Sequence, residues 1–219
     1  MTPRHDAELE LRAGLAAAMR HDYDAAIAAF LRALASDPKL RDAKLNLLDA
    51  YIGAGRFADA DAMVEDALRD YSTDSAFIET IAMLRELEGR YDDALELIRS
   101  KYVNLAARSK AYPKYLRILV GACHWEEAVL AAREALAQPS LWAPYARLAR
   151  VLSLLHFNEA ELARQELAQL DIEQYGSLIE SWARAFAQSG ALGPIQELFA
   201  RTSLAADPAV AALRARFTA

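Results

Sequence analysis

Histidine and cysteine are the side chains of this 219-residue sequence best suited to metal binding or nucleophilic catalysis, and the chain has four histidines and one cysteine. These residues are His5, His21, Cys123, His124 and His156. Cys123 stands next to His124, but adjacent side chains usually point in different directions and no acidic residue is placed to orient the histidine. We therefore predict that His21, His124 and His156 are polar turn residues, and that no catalytic or metal-binding site is present.

Carboxylates give no stronger signal for an active site. The pairs Asp92-Asp93 and Glu126-Glu127 stand at predicted helix starts, where acidic side chains complement the helix dipole. The sequence has no glycine-rich phosphate loop, no G-x-S-x-G motif and no H-E-x-x-H motif. We predict that the protein is not an enzyme and uses no cofactor.

The composition excludes several other classes of protein. A net charge of −6 and a pI near 5.3 argue against nucleic-acid binding, which usually requires a basic stripe. No apolar stretch is long enough for a membrane span, and MTPRHDAELELR has charges where a signal peptide has its apolar region. With the single cysteine, this predicts a cytoplasmic protein, and the abundance of Ala, Arg and Leu suggests a bacterial source. Only 8 Gly and 7 Pro favour an all-α fold.

One pattern recurs along the chain. The aromatic residues Tyr23, Phe57, Tyr91 and Trp125 follow one another at a constant interval, a period of 34 in the numbering. An alanine stands at the same place after each of them, at Ala26, Ala60, Ala94 and Ala128. Each copy contains two apolar segments of helical period joined by a short polar or glycine-bearing turn. The small alanine predicts a close approach between the two helices of a pair.

The pattern weakens toward the C-terminus. A fifth copy is aligned on Phe157 and Ala160, which places its aromatic slightly less than one period after Trp125. A sixth keeps Gly190 and a helical apolar pattern, and Asp207-Pro208 predicts the start of a last short helix over 208–217. Atypical end units are expected in a repeat array, because an end repeat has no neighbour on one side.

The period and the signature positions resemble the tetratricopeptide repeat, a helix–turn–helix unit of about 34 residues. The first copy matches at Gly14, Tyr23, Ala26, Phe30, Ala33 and Pro38, and the second at Leu47, Tyr51, Gly55, Phe57, Ala60 and Ala67. The resemblance implies one domain over 1–219, a right-handed α-α superhelix of five to six repeats plus the C-terminal helix. The repeats would span about 7–40, 41–74, 75–108, 109–142, 143–174 and 175–207.

In this family the first helix of each repeat lines a concave groove that binds protein partners. Carried over by position, the expected groove residues are Leu11, Leu15, Leu45, Asp49, Ile52, Met83, Lys110, Lys114, Arg117, Trp142 and Tyr145. The window 110–150 holds six basic and three acidic residues, which favours an acidic peptide or a free C-terminal carboxylate as ligand. The alternative is that these charges lie on ordinary solvated helix faces, with Trp142 and Tyr145 in the core between repeats.

A carboxylate clamp of the kind that holds chaperone tails is not expected. Lys110 and Lys114 match its third-repeat pair, but Leu45, Asp49 and Thr80 stand where its upstream ligands would be. We predict a protein-interaction scaffold that binds a peptide or partner domain, and self-association stays open. Two other roles remain open: a dedicated chaperone or assembly factor of a bacterial secretion or appendage system, and a regulatory region of a larger enzyme or signalling protein.

Overall fold

A computed structural model of the chain describes residues 3–101, 111–137 and 141–218, and within these ranges it contains thirteen α-helices and no strand. The helices are α1 Pro3–Ala18, α2 Tyr23–Ser36, α3 Arg41–Gly53, α4 Phe57–Asp70, α5 Ser75–Leu87, α6 Tyr91–Lys101, α7 Tyr112–Gly121, α8 Trp125–Leu136, α9 Ala143–His156, α10 Ala160–Leu167, α11 Gly176–Ser189, α12 Leu192–Arg201 and α13 Pro208–Ala215. The predicted all-α helical-repeat fold is confirmed.

The first twelve helices form six consecutive pairs, and the turn within each pair contains one residue in the left-handed backbone conformation. These residues are His21, Gly55, Gly89, Cys123, Asn158 and Gly190, with φ between 58° and 80°. Each stands just before the residue that precedes the second helix of its pair. The left-handed residue ends the first helix and lets the chain reverse direction.

The fifth pair corrects the sequence alignment at one point. Asn158 is its left-handed residue and α10 begins at Ala160, so Phe157 lies in the turn instead of opening the second helix. Asparagine tolerates this conformation better than most residues, and its position therefore decides where the turn forms. The alanine buried between the helices of this pair is Ala163, with an exposure of 0%.

The alanine and aromatic positions of the repeat have the packing roles that the sequence predicts. Ala26, Ala60, Ala94 and Ala128 are all fully buried. The ring of Tyr23 lies against Gly53, where an added Cβ would come within 2.5 Å of Tyr23 Cε1. Tyr91 lies against Gly121 in the same way. Each ring thus packs on the last turn of the first helix of the next pair.

The chain divides into two compact units, Met1–Leu84 and Arg85–Ala219. In the first unit, Arg41 at the start of α3 holds Asp74 with two hydrogen bonds, Nε to Oδ2 at 2.6 Å and Nη2 to Oδ1 at 2.8 Å. Asp74 also accepts from the Ala76 N–H at the start of α5, at 3.0 Å. The bond from Arg41 holds the pKa of this carboxyl below its ordinary value. The assignment of 1–219 to a single domain stays a prediction.

Helix α9 forms the core of the second unit. Leu148, Val151, Leu152, Leu154 and Leu155 are all at most 5% exposed, so apolar side chains are buried around the whole helix. Helices α7, α8, α10 and α12 each pack against α9. Residues 151–155 are five consecutive buried residues, so this part of α9 must be covered on every side, and α12 provides part of that cover.

The C-terminal helices complete the second unit. Phe217 packs on Phe186 and Phe199, with ring centroids 6.4 Å and 5.5 Å away. The end of α11 returns to the turn of the third pair, where the hydroxyl groups of Tyr91 and Ser189 are hydrogen bonded. Burial raises the pKa of Tyr91 to about 12, so its hydroxyl stays protonated at neutral pH. This contact joins residues that are 98 positions apart in the chain.

Candidate functional site

The first helices of the first unit carry the predicted apolar groove residues, and the structure leaves most of them accessible. Leu15 is 38% exposed, and Leu11, Leu45 and Met83 are half-buried. Ile52 is only 7% exposed and belongs to the core instead.

Further apolar surface lies next to Leu15, because Met19 directly follows α1 and is 83% exposed. Leu9 is 44% exposed on another side of α1. Leu11, Leu15 and Met19 are spaced four positions apart, which places them along one side of the helix. We call Leu11, Leu15 and Met19 the α1 surface.

Acidic side chains accompany these apolar residues. Asp49 on α3 is exposed, and its Oδ1 accepts a hydrogen bond from Thr80 Oγ1 on α5 at 3.0 Å. The first unit has nine Lys and Arg residues against fifteen Asp and Glu residues between positions 1 and 84. With histidine neutral, residues 1–84 therefore have a net charge of −6.

The second unit holds the predicted basic residues, and Arg117 has a structural role there. Arg117 Nε and Nη2 donate to the two carboxylate oxygens of Glu86, at 2.7 Å and 2.8 Å. Glu86 is 1% exposed and the Arg117 side chain is 21% exposed. A paired guanidinium beside a buried carboxylate is engaged within the fold and does not offer a free charge to an acidic ligand.

The sequence contains a signal for Glu86 that the motif search missed. Glu86 stands one repeat period after Ile52, and Val120 follows one period later. Both of these residues are buried and apolar. A carboxylate in an apolar repeat position requires a cation, and Arg117 on the first helix of the next pair supplies it.

The other predicted residues of this unit that the structure describes are half-buried. Lys110 lies outside the described residues, and Lys114 is half-buried on α7. Trp142 and Tyr145, at the start of α9, are half-buried and meet edge to face with centroids 6.1 Å apart. Further along α9 the first-helix positions are buried, so no open groove follows this helix.

His21, Cys123 and His124 lie in turns between helices, whereas His5 lies in α1 and His156, which was also predicted in a turn, is the last residue of α9. Cys123 is exposed in the α7–α8 turn, and partial burial raises the pKa of its thiol. Contrary to the expectation that no acidic residue is placed beside His124, its Nε2 lies 3.1 Å from Asp92 Oδ1. The His156 ring stacks on Trp125 at 4.8 Å. Among the residues that the structure describes, no group of three His, Cys, Asp or Glu side chains is arranged to hold a metal ion. In the same part of the chain, no helix has the length and apolar character needed to cross a bilayer.

Comparisons with known proteins agree with this architecture. Residues 9–84 match the family described as tetratricopeptide repeat. The chain is also similar to the crystal structure of a tetratricopeptide repeat protein from Parabacteroides merdae ATCC 43184, with 15% sequence identity and a TM-score of 0.68. That similarity covers 97% of this chain and 86% of the other. None of the curated proteins matches the sequence.

Proposed function

We propose that this chain, a tetratricopeptide-repeat protein, is a non-enzymatic scaffold that binds a peptide or partner domain through the first helices of residues 3–84. Tetratricopeptide repeats generally mediate protein–protein interaction. The observation that carries the proposal is the exposure of large apolar side chains on α1 and directly after it, above all Met19 at 83%.

The contact surface that we propose combines the α1 surface with Leu45, Asp49 and Met83. Burying one large apolar side chain of a partner is worth about 1.5–3 kcal/mol, so two or three anchors would contribute about 3–9 kcal/mol toward the cost of association. The excess of acidic residues in this unit favours a partner with basic side chains near the apolar anchors.

A partner with an acidic segment is the second form of this proposal, and it would bind at Lys114, Trp142 and Tyr145. That form lacks the cation that Arg117 was expected to add, because Arg117 is engaged by Glu86. The first form predicts a basic partner on the first unit, and the second predicts an acidic partner on the second unit. An experiment that locates the bound partner therefore distinguishes the two forms.

The test places a photo-crosslinking amino acid at Met19 in the full chain and identifies the captured protein. The matched control places it at Leu141, which is 87% exposed and lies in the second unit. We expect one stoichiometric partner from Met19 and none from Leu141. The purified partner should then bind the Leu15→Asp variant at least tenfold more weakly, whereas Leu141→Asp should leave its affinity unchanged. Equal loss with both variants, or equal capture from both positions, would contradict the proposal.

A further inference from the structure

The second unit contains a cavity of about 470 Å³ that the repeat pattern does not explain. It lies where the α7–α8 and α9–α10 turns meet α12, and Cys123, Asn158 and Arg201 are among its lining residues. Pockets for small ligands usually measure between about 300 and 1,000 Å³. The volume therefore suits a group with the size of one or two amino-acid residues.

One side of the cavity is apolar. Trp125, Leu155 and Leu198 line it, and each is at most 7% exposed. The His156 ring, which also lines the cavity, is stacked on Trp125 at an interplanar angle of 18°. This stack gives the cavity a flat wall of fixed orientation, which suits an apolar group of a ligand.

The polar groups of the cavity are mostly hydrogen-bond donors. Asn158 Oδ1 already accepts from the Ser203 N–H at 2.9 Å, which leaves the amide NH₂ as the available group. Thr202 Oγ1 accepts from the Leu204 N–H at 3.3 Å, which leaves its hydroxyl proton to donate. Arg201 lines the same cavity and forms no ion pair within the described part of the chain. Unlike the Glu197 carboxylate, these polar groups are donors, which suits a ligand with a negatively charged acceptor.

Two turn residues that line the cavity are also unusual in conformation. Cys123 and Asn158 have φ of 59° and 58°, in the left-handed region, where Gly89 and Gly190 stand in the other turns of this unit. A side chain in that region costs conformational energy that glycine avoids. The second unit thus places side chains at the two turns that border the cavity and glycine at the two that do not.

We propose that this cavity binds a ligand with an apolar group and a single carboxylate, which is the chemistry shared by the C-terminal residue of a peptide and a small free monocarboxylate. The apolar group packs against Trp125, Leu155 and Leu198, and the carboxylate pairs with Arg201. Glu197, one turn before Arg201 on α12, also lines the cavity and disfavours ligands with a second negative charge. The site belongs to the second unit and does not depend on partner binding by the first.

The chain itself carries a reporter for this site, because Cys123 is its single cysteine and lines the cavity. Alkylation of the full chain by iodoacetamide, followed by mass spectrometry, measures how far a ligand shields the thiol. The probes are N-acetyl-Ala-Leu as the free acid, the same dipeptide as its C-terminal amide, and 4-methylpentanoate. We expect the free acid to slow alkylation at least fivefold and the amide to have no effect.

The two sources of the carboxylate give different results in this experiment. Protection by the peptide acid alone identifies a peptide C-terminus, and protection by 4-methylpentanoate as well identifies a small monocarboxylate site. Equal protection by the acid and the amide, or protection by neither carboxylate, would overturn the proposal.

Two substitutions on α12 test the charge assignment with opposite expected signs. Arg201→Gln should weaken binding of the protecting acid at least tenfold, and Glu197→Gln should strengthen it about threefold. Both side chains are exposed, so neither change should alter the melting temperature. Arg184→Gln, at an exposed arginine of α11 outside the cavity lining, is the matched control and should change nothing. Unchanged affinity in Arg201→Gln, or weaker binding in Glu197→Gln, would refute the role of Arg201.

Discussion

Replacing Arg117 by methionine tests the contribution of its ion pair with the buried Glu86 to the stability of the second unit. Arg117 and Glu86 form two hydrogen bonds of 2.7 and 2.8 Å, and Glu86 is 1% exposed. Methionine keeps most of the volume of the side chain but removes its charge and its donors. The variant therefore leaves a carboxylate that is buried without a cation.

The expected cost follows from this burial. Removing one partner of a buried ion pair destabilises proteins by about 3–5 kcal/mol, and we expect the lower end because Arg117 keeps 21% of its side chain exposed. A loss of about 3 kcal/mol is a large part of the roughly 5–15 kcal/mol that stabilises a typical domain. The double variant Glu86→Leu with Arg117→Met removes both charges and should recover most of the loss.

Urea denaturation followed by tryptophan fluorescence measures this effect in the correct unit. All three tryptophans, Trp125, Trp142 and Trp182, lie between residues 85 and 219. With a typical slope of about 2 kcal/mol per M urea, the midpoint for Arg117→Met should fall by about 1.5 M. A shift below about 0.5 M, or a double variant less stable than Arg117→Met alone, would show that Glu86 is not held by this pair.

Further substitutions test other parts of the fold. Gly55→Ala should destabilise the first unit by about 1 kcal/mol in a circular-dichroism urea titration. The cost comes from the backbone alone, because φ is 71° there and no atom lies within 4 Å of an added Cβ. Cys123→Gly should instead raise the urea midpoint that tryptophan fluorescence detects, because φ is 59° at Cys123 and glycine adopts that conformation without the cost. Ala60→Leu should cost about 1–3 kcal/mol in the same circular-dichroism titration by overpacking a fully buried position, and a neutral result would contradict the helix pairing. Asp74→Asn should be destabilising at pH 7. Because the folded-state pKa of Asp74 lies below its ordinary 3.8, the difference from wild type should shrink only as the pH falls below about 4, and a constant difference from pH 7 to pH 2 would exclude the Arg41 pair as its source.

The sequence predicts the helix pairs because their packing requirements are local and recur with the period of the array. Tyr23 and Ala26 mark the second helix of the first pair, and Tyr91 and Ala94 mark that of the third. All four residues take the packing positions that this spacing implies. In the fifth pair, the aromatic ring of Phe157 was a weaker guide than the backbone preference of Asn158.

The features that the sequence did not reveal depend on contacts between distant pairs. The covering of α9 by α12 is one example, although the apolar run at 151–155 is a sign that this helix has no exposed face. The pairing of Glu86 with Arg117 is another, since each residue alone is an ordinary charged side chain. The repeat positions around α1 predict an accessible surface, whereas the cavity beside Cys123 depends on how α12 packs and has no sequence motif.

The contact between Tyr91 and Ser189 also bears on how this protein can evolve. Helical-repeat proteins commonly gain or lose whole repeats, because each repeat contacts only its neighbours. In the second unit, the turn of the third pair touches the end of α11, and the number of pairs between them is fixed by that contact. Duplication of a whole repeat there would separate the two hydroxyl groups. Residues 85–219 should therefore be inherited as one block of constant length, while changes in repeat number are confined to other parts of the array.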